Sequence, residues 1–112
     1  MIEREIKKLE IQNGVVPFDE WFDSLRDRKM QAAVDARLTR VRAGNFGDFK
    51  SVGGGVFELR ISFGPGLRVY YGLHGRQIVI LLAGGDKGSQ SRDIRRAQQL
   101  WEQFKKYASE KL

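Results

Sequence analysis

Arg60, Arg68 and Tyr70 are the residues whose types and spacing best suit chemistry, because two guanidiniums beside a phenol can grip a phosphate and engage a base. They converge only if the chain around them is a hairpin. Phe57-Glu58-Leu59-Arg60-Ile61-Ser62-Phe63 and Leu67-Arg68-Val69-Tyr70-Tyr71 alternate β-favouring apolar residues with polar ones on either side of Gly64-Pro65-Gly66. That pattern predicts two strands and a tight turn. Side chains two apart on a strand share a face, so Phe57, Leu59, Ile61 and Phe63 point one way and Glu58, Arg60 and Ser62 the other. Leu67, Val69 and Tyr71 form the matching apolar row. With both apolar rows on a common core, Arg60, Arg68 and Tyr70 emerge together on the opposite, solvent-facing side. The alternative is that each is an ordinary solvated strand residue.

The remaining elements must hold that hairpin in place. Ile2 to Ile11 mixes helical and alternating spacing and is read as a strand. Asn13-Gly14 marks a turn, and Pro17 opens a helix whose stripe is Phe18, Trp21, Phe22 and Leu25. A second helix is predicted from about Arg28 to Ala43, with Met30, Val34, Leu38 and Val41 inward and Gly44 closing it. Its polar side carries Arg37 and Arg40, which are either a solvated face or a second polyanion contact, to RNA for instance. A strand starts near Asp48-Phe49-Lys50. The run Ile78–Ala83 is apolar without alternation, as in a strand covered on both faces or paired at the sheet centre. Gly84-Gly85-Asp86-Lys87-Gly88 ends it, and a last helix begins near Ser89 or Ser91 with Ile94, Ala97, Leu100, Trp101 and Phe104 as its inward stripe. The expected fold is a single α+β domain over residues 1–112.

Composition narrows the partners. A chain of 112 residues with 41% hydrophobic content can bury a core without staples, and it has no Cys for a disulfide, a zinc thiolate or a thiol nucleophile. One His and scattered carboxylates offer no metal-ligand spacing, so no metal or cofactor is expected. His74 sits in an apparent hairpin tip and has no acidic orienter for serine-type catalysis. Gly84–Ser89 lacks the spacing of a nucleotide-binding loop, although Lys87 beside a helix N-terminus suits an anionic group. No apolar run reaches membrane-spanning length, and the charged start Met1-Ile2-Glu3-Arg4-Glu5 is unlike a signal peptide, so a cytoplasmic protein is expected. A net charge of +6 favours polyanionic partners.

Pro17-Phe18-x-x-Trp21-Phe22-x-x-Leu25, the Gly44-Asn45-Phe46-Gly47-Asp48 bend, Glu58-Leu59-Arg60-Ile61, Gly66-Leu67-Arg68-Val69-Tyr70-Tyr71 and Leu82-Ala83-Gly84-Gly85-Asp86-Lys87 together resemble the phage Gp49-like/HigB branch of the RelE/ParE toxin superfamily. The resemblance spans nearly the whole chain. It implies a RelE-like fold, a curved antiparallel sheet with helices packed on one side, two of them in the N-terminal half and one at the C-terminus. It also implies the toxin of a toxin–antitoxin module, a metal-independent endoribonuclease that cuts mRNA in the ribosomal A site. Its partners would be the ribosome, mRNA and a cognate antitoxin of helix-turn-helix type, with DNA reached only through the antitoxin complex. ParE-type members poison DNA gyrase instead, and a third possibility is a basic interaction protein whose activity is lost. By this likeness Arg60, Arg68, Lys50 and Lys87 occupy the catalytic positions and Tyr70 a looser RNA-binding one. RNA cleavage needs no metal when the substrate's own 2′-OH attacks the adjacent phosphate, which leaves the protein to position, move protons and stabilise charge. Lacking a His–Glu pair, such an enzyme would rely on Lys50 or Lys87 for proton transfer or on the ribosome for organisation. Ala at Arg60 or Arg68, on a solvent face, is expected to leave stability nearly unchanged.

Overall fold

A computed structural model describes residues 2–111, with the side chains of 110 and 111 set aside. Among these residues the chain forms, in order, β1 (Glu5–Lys8), α1 (Pro17–Ser24), α2 (Arg28–Arg42), β2 (Phe49–Gly53), β3 (Val56–Ile61), β4 (Leu67–His74), β5 (Ile78–Asp86) and α3 (Gln90–Lys111). The strands make one sheet in the order β1-β5-β4-β3-β2. β2 through β5 are an antiparallel meander, whereas β1 runs parallel to β5. The sheet is therefore mixed, not wholly antiparallel. A parallel pair needs a long crossover, and here α1, α2 and the meander itself separate β1 from β5.

The hairpin is as expected. Leu59, Ile61, Leu67, Val69 and Tyr71 join Val79 and Leu81 in a core built with Phe18 of α1 and Val34, Leu38 and Val41 of α2. Each fully buried aliphatic side chain there contributes about 1.5–3 kcal/mol of transfer free energy. The other face is not open. Ala97, Leu100 and Trp101 of α3 pack on Val56, Tyr70, Ile80, Leu82 and Ala83, so the helices cover both faces of the sheet and not one. This explains the unbroken apolar run of β5. Its register against β4 shifts between Tyr70 and Tyr71, and Leu82 and Ala83 consequently both face α3. Gly72 and Gly84 have no room for a Cβ, because Trp101 lies against one and Trp21 against the other. Two tryptophans thus clamp the sheet from opposite helices.

Local signals set the helix ends. Pro17 stands in the first turn of α1, and the Asp27 side chain caps α2 by accepting from the Lys29 amide at 2.8 Å. The start of α3 differs from the Ser cap expected. A short 3₁₀ turn, Lys87–Ser89, precedes it, and Asp86 caps that turn by accepting from the amides of Gly88 and Ser89. Asp27→Ala is expected to cost about 1 kcal/mol, since the orphan amide at the start of α2 loses its acceptor. Thermal unfolding should show a midpoint lower by about 5 °C.

Candidate functional site

The register of β3 and β4 places Arg60 directly opposite Arg68 and Glu58 directly opposite Tyr70. β2 adds Lys50 opposite Glu58, and β5 adds Gly85 opposite Arg68 and Ala83 opposite Tyr70. Paired residues share a face, so Lys50, Glu58, Arg60, Arg68 and Tyr70 all lie on the side that α3 partly covers. Gly85 is needed in this patch. Asp93 and Ser89 press against it where a Cβ would stand, and this allows the first turns of α3 to settle beside the two arginines.

Like charges directly opposite one another destabilise a ladder. Here they are held by a buried carboxylate. Glu58 is fully buried, and its Oε1 lies 3.6 Å from Arg60 Nε and 3.8 Å from Arg68 Nε. Its Oε2 accepts a 2.8 Å hydrogen bond from Gln90 Nε2 at the start of α3. Arg60 is 35% exposed at its side chain and has a second, looser carboxylate at Asp48, 3.9 Å away. Arg68 is only 12% exposed, and its Nη1 donates to the Leu67 carbonyl at 3.2 Å. Lys87 stands close by, its amide donating to the Gly66 carbonyl at 3.0 Å, and both it and the Arg68 guanidinium flank Gly66. Lys50 and Lys87 are exposed at the rim. Four of the expected positions, Arg60, Arg68, Lys50 and Lys87, are thus gathered around one end of the meander.

The other three sit differently. Tyr70 is on the expected face but fully buried beneath α3, so its ring cannot stack on a base. Burial first, and the neighbouring Glu58 charge second, push its phenol well above its ordinary pKa and keep it protonated. Arg37 is buried rather than solvated. Its guanidinium faces the hairpin and donates to the carbonyls of Phe46, Asp48 and Arg60. That set of bonds makes Arg37 a structural anchor, with its guanidinium turned inward and not on the solvated face of α2. Arg40 is exposed, but on α2, which packs on the opposite face from Arg60 and Arg68. Sequence reasoning missed Glu58, Gln90 and Asp93. The signal for Glu58 was its two-residue spacing from Arg60, which puts an acid inside a basic row.

The arrangement can do what a cationic pocket does with a phosphodiester. The guanidinium forks can donate to non-bridging oxygens while exposed ammonium groups approach from two sides. A cavity of about 770 Å³ lies elsewhere, between β1 and the second half of α3, with Leu9, Ile80, Leu100 and Phe104 in its wall. At the arginine patch Lys50 and Lys87 are exposed and Arg60 is partly so. No described helix is long and apolar enough to cross a membrane.

Comparison with known proteins agrees on the kind of chain. An uncharacterized protein of Haemophilus influenzae is 48% identical over 83 residues, which cover 74% of this chain and 84% of that protein. No solved structure matches. The family described as phage derived protein Gp49-like matches residues 20–102, a span that begins in α1, runs through the whole meander and reaches the middle of α3. The chain belongs to the phage-derived Gp49-like family.

Proposed function

We propose that the protein is the toxin of a toxin–antitoxin module and a ribosome-dependent mRNA endoribonuclease of the RelE/HigB kind. The observation that carries this reading is the in-register Arg60–Arg68 pair around one buried carboxylate, with Lys50 and Lys87 at its rim. The Gp49-like family is often associated with toxin–antitoxin modules, which adds support from context. In this mechanism the RNA 2′-OH attacks the adjacent phosphorus and the P–O5′ bond breaks, giving a 2′,3′-cyclic phosphate and a free 5′-OH. The proton lost from the 2′-OH and the one gained by the 5′ oxygen pass through the exposed lysines, the RNA or the ribosome. Arg60 and Arg68 stabilise the charge that grows on the non-bridging oxygens. A basic protein with this surface suits an acidic antitoxin segment laid over it, encoded beside the toxin gene.

Induction without the neighbouring gene, followed by mapping of mRNA ends, tests the reading. Cuts are expected inside reading frames with codon phase, and a start-codon mutation in a reporter message should suppress them. The ends should be cyclic or 3′-phosphates, since the nucleophile is the RNA's own hydroxyl. Trapped, cleaved gyrase complexes with no phased cuts would replace this reading by a gyrase poison. Neither effect would leave a basic interaction protein.

A further inference from the structure

Three buried polar atoms without hydrogen-bond partners lie in one place, Glu58 Oε1, Arg60 Nε and Arg68 Nε, with the Tyr70 hydroxyl facing the same carboxylate. They form the centre of the arginine patch. The two Nε–Oε1 separations, 3.6 and 3.8 Å, are too long for charge-assisted hydrogen bonds of about 2.7–2.9 Å. The carboxylate therefore attracts both guanidiniums while completing a bond to neither. A fold selected for stability alone would close those bonds or replace the group by an apolar one, because a buried acceptor left short of partners is costly.

From this we infer that Glu58 is a positioning residue that sets the two guanidiniums and caps the positive charge they present to a phosphodiester; the inference rests on the nuclease reading above. Glu58 draws in the inner Nε edge of each arginine. Its own position is fixed by a strand backbone on one side and by Gln90 Nε2 on Oε2 on the other. Among the described residues Arg60's Nη atoms and Arg68's Nη2 make no hydrogen bond, so these are the donors left for substrate. The second consequence is electrostatic. Glu58 offsets part of the positive charge of the two guanidiniums, so the pair attracts a phosphodiester in its ground state less strongly than two unpaired arginines would. The site then holds RNA loosely and keeps its strongest interaction for the transition state, where negative charge builds up.

Glu58→Gln separates this role from a purely structural one, because it keeps shape but raises the local charge and frees the arginines. The probe is a single-stranded RNA oligonucleotide with 2′-O-methyl groups, which binds without being cut. Its affinity for the variant at low salt is expected to rise roughly threefold or more, with a salt dependence steeper by about 0.7, as for one additional phosphate contact. Cleavage of translated message should fall about tenfold or more, since the forks lose their preset orientation. Affinity and rate then move in opposite directions, which loss of structure cannot produce. Unchanged values of both, or weakening of both in a variant with wild-type circular dichroism, would overturn the inference. If Glu58→Gln does not fold, Gln90→Ala keeps the carboxylate's charge but releases Oε2. It should slow cleavage with no change in affinity or salt slope, and an unchanged rate would overturn the positioning role. A wild-type protein that cuts no message would fail the nuclease reading only, and the charge-capping role would still be decided by the oligonucleotide measurement.

Discussion

Arg68→Ala should lower cleavage of translated mRNA by a factor on the order of 10²–10³, the loss found when a preorganised donor to a developing oxyanion is removed. Arg60→Ala should do the same. The two variants should differ in stability. Arg60 is 35% exposed, with an exposed second partner in Asp48, so its truncation is expected to cost no more than about 1 kcal/mol. Arg68 is 12% exposed and shares the buried Glu58 carboxylate, and removing it leaves that charge with Arg60 as its one cationic partner, beside the neutral Gln90 amide. A cost of up to about 3 kcal/mol follows from stranding a buried ion. Stability neutrality, expected while both arginines were placed on a solvent face, is therefore not expected for Arg68, and Arg60, which also faces Glu58 at 3.6 Å but is more open to water, should show the smaller loss. Arg68→Lys separates the two effects: it keeps a cation near Glu58 and should recover most of the melting temperature, yet little cleavage, since an ammonium lacks the planar fork. Mapping of mRNA ends alongside thermal melts reads both quantities. Full activity in both Ala variants would move the active site elsewhere.

Much of this was legible because a strand hairpin is a local object. Period-two alternation and the Gly64-Pro65-Gly66 turn were enough to place Arg60 beside Arg68, and the register matches. The burial of Tyr70 and Glu58 was not legible in the same way. Which sheet face α3 covers depends on its apolar stripe meeting Val56, Tyr70, Ile80 and Leu82, a long-range choice that no spacing within either element encodes. The parallel pairing of β1 is similar. Four residues with a weak pattern do not specify which strand edge they join or in which direction. Arg37 is the instructive case, because its signal was present. Val34, Arg37, Leu38 and Val41 follow the i, i+3, i+4, i+7 spacing of one helix face, and all four are buried. The general rule that arginine stays outside outweighed the periodicity, and the rule does not hold where backbone carbonyls wait to be bonded.

Those carbonyls make Arg37→Ala the substitution with the largest expected effect on stability. Nε and Nη2 donate to the Phe46 carbonyl at 3.1 and 2.9 Å, Nη2 also to Asp48 at 2.6 Å, and Nη1 to Arg60 at 2.7 Å. One side chain of α2 thereby ties down the bend before β2 and the backbone of β3 at Arg60. Gly47, at φ 65°, lets the bend pass over the guanidinium, where a Cβ would stand 2.9 Å from Nη2. Burial lowers the pKa of Arg37, as does Arg40, while Asp48 opposes them; an arginine remains charged at neutral pH, so these are charge-assisted bonds. Truncation removes a donor from three carbonyls, of which Asp48's keeps the Arg60 amide at 3.0 Å, and opens a void beneath the bend. A loss of about 3–4 kcal/mol is expected, with each charged hydrogen bond worth about 1.5–3 kcal/mol. For a domain of this size the melting midpoint should fall by on the order of 15 °C. Arg40→Ala, on the exposed side of the same helix, should change stability by less than about 0.5 kcal/mol. Cleavage by Arg37→Ala, measured well below its melting point, should be reduced through the displaced Arg60 backbone, while affinity for a single-stranded RNA stays within about twofold of wild type, because no phosphate contact is removed. A variant that melts like the wild type and binds RNA tenfold more weakly would return Arg37 to the nucleic-acid surface.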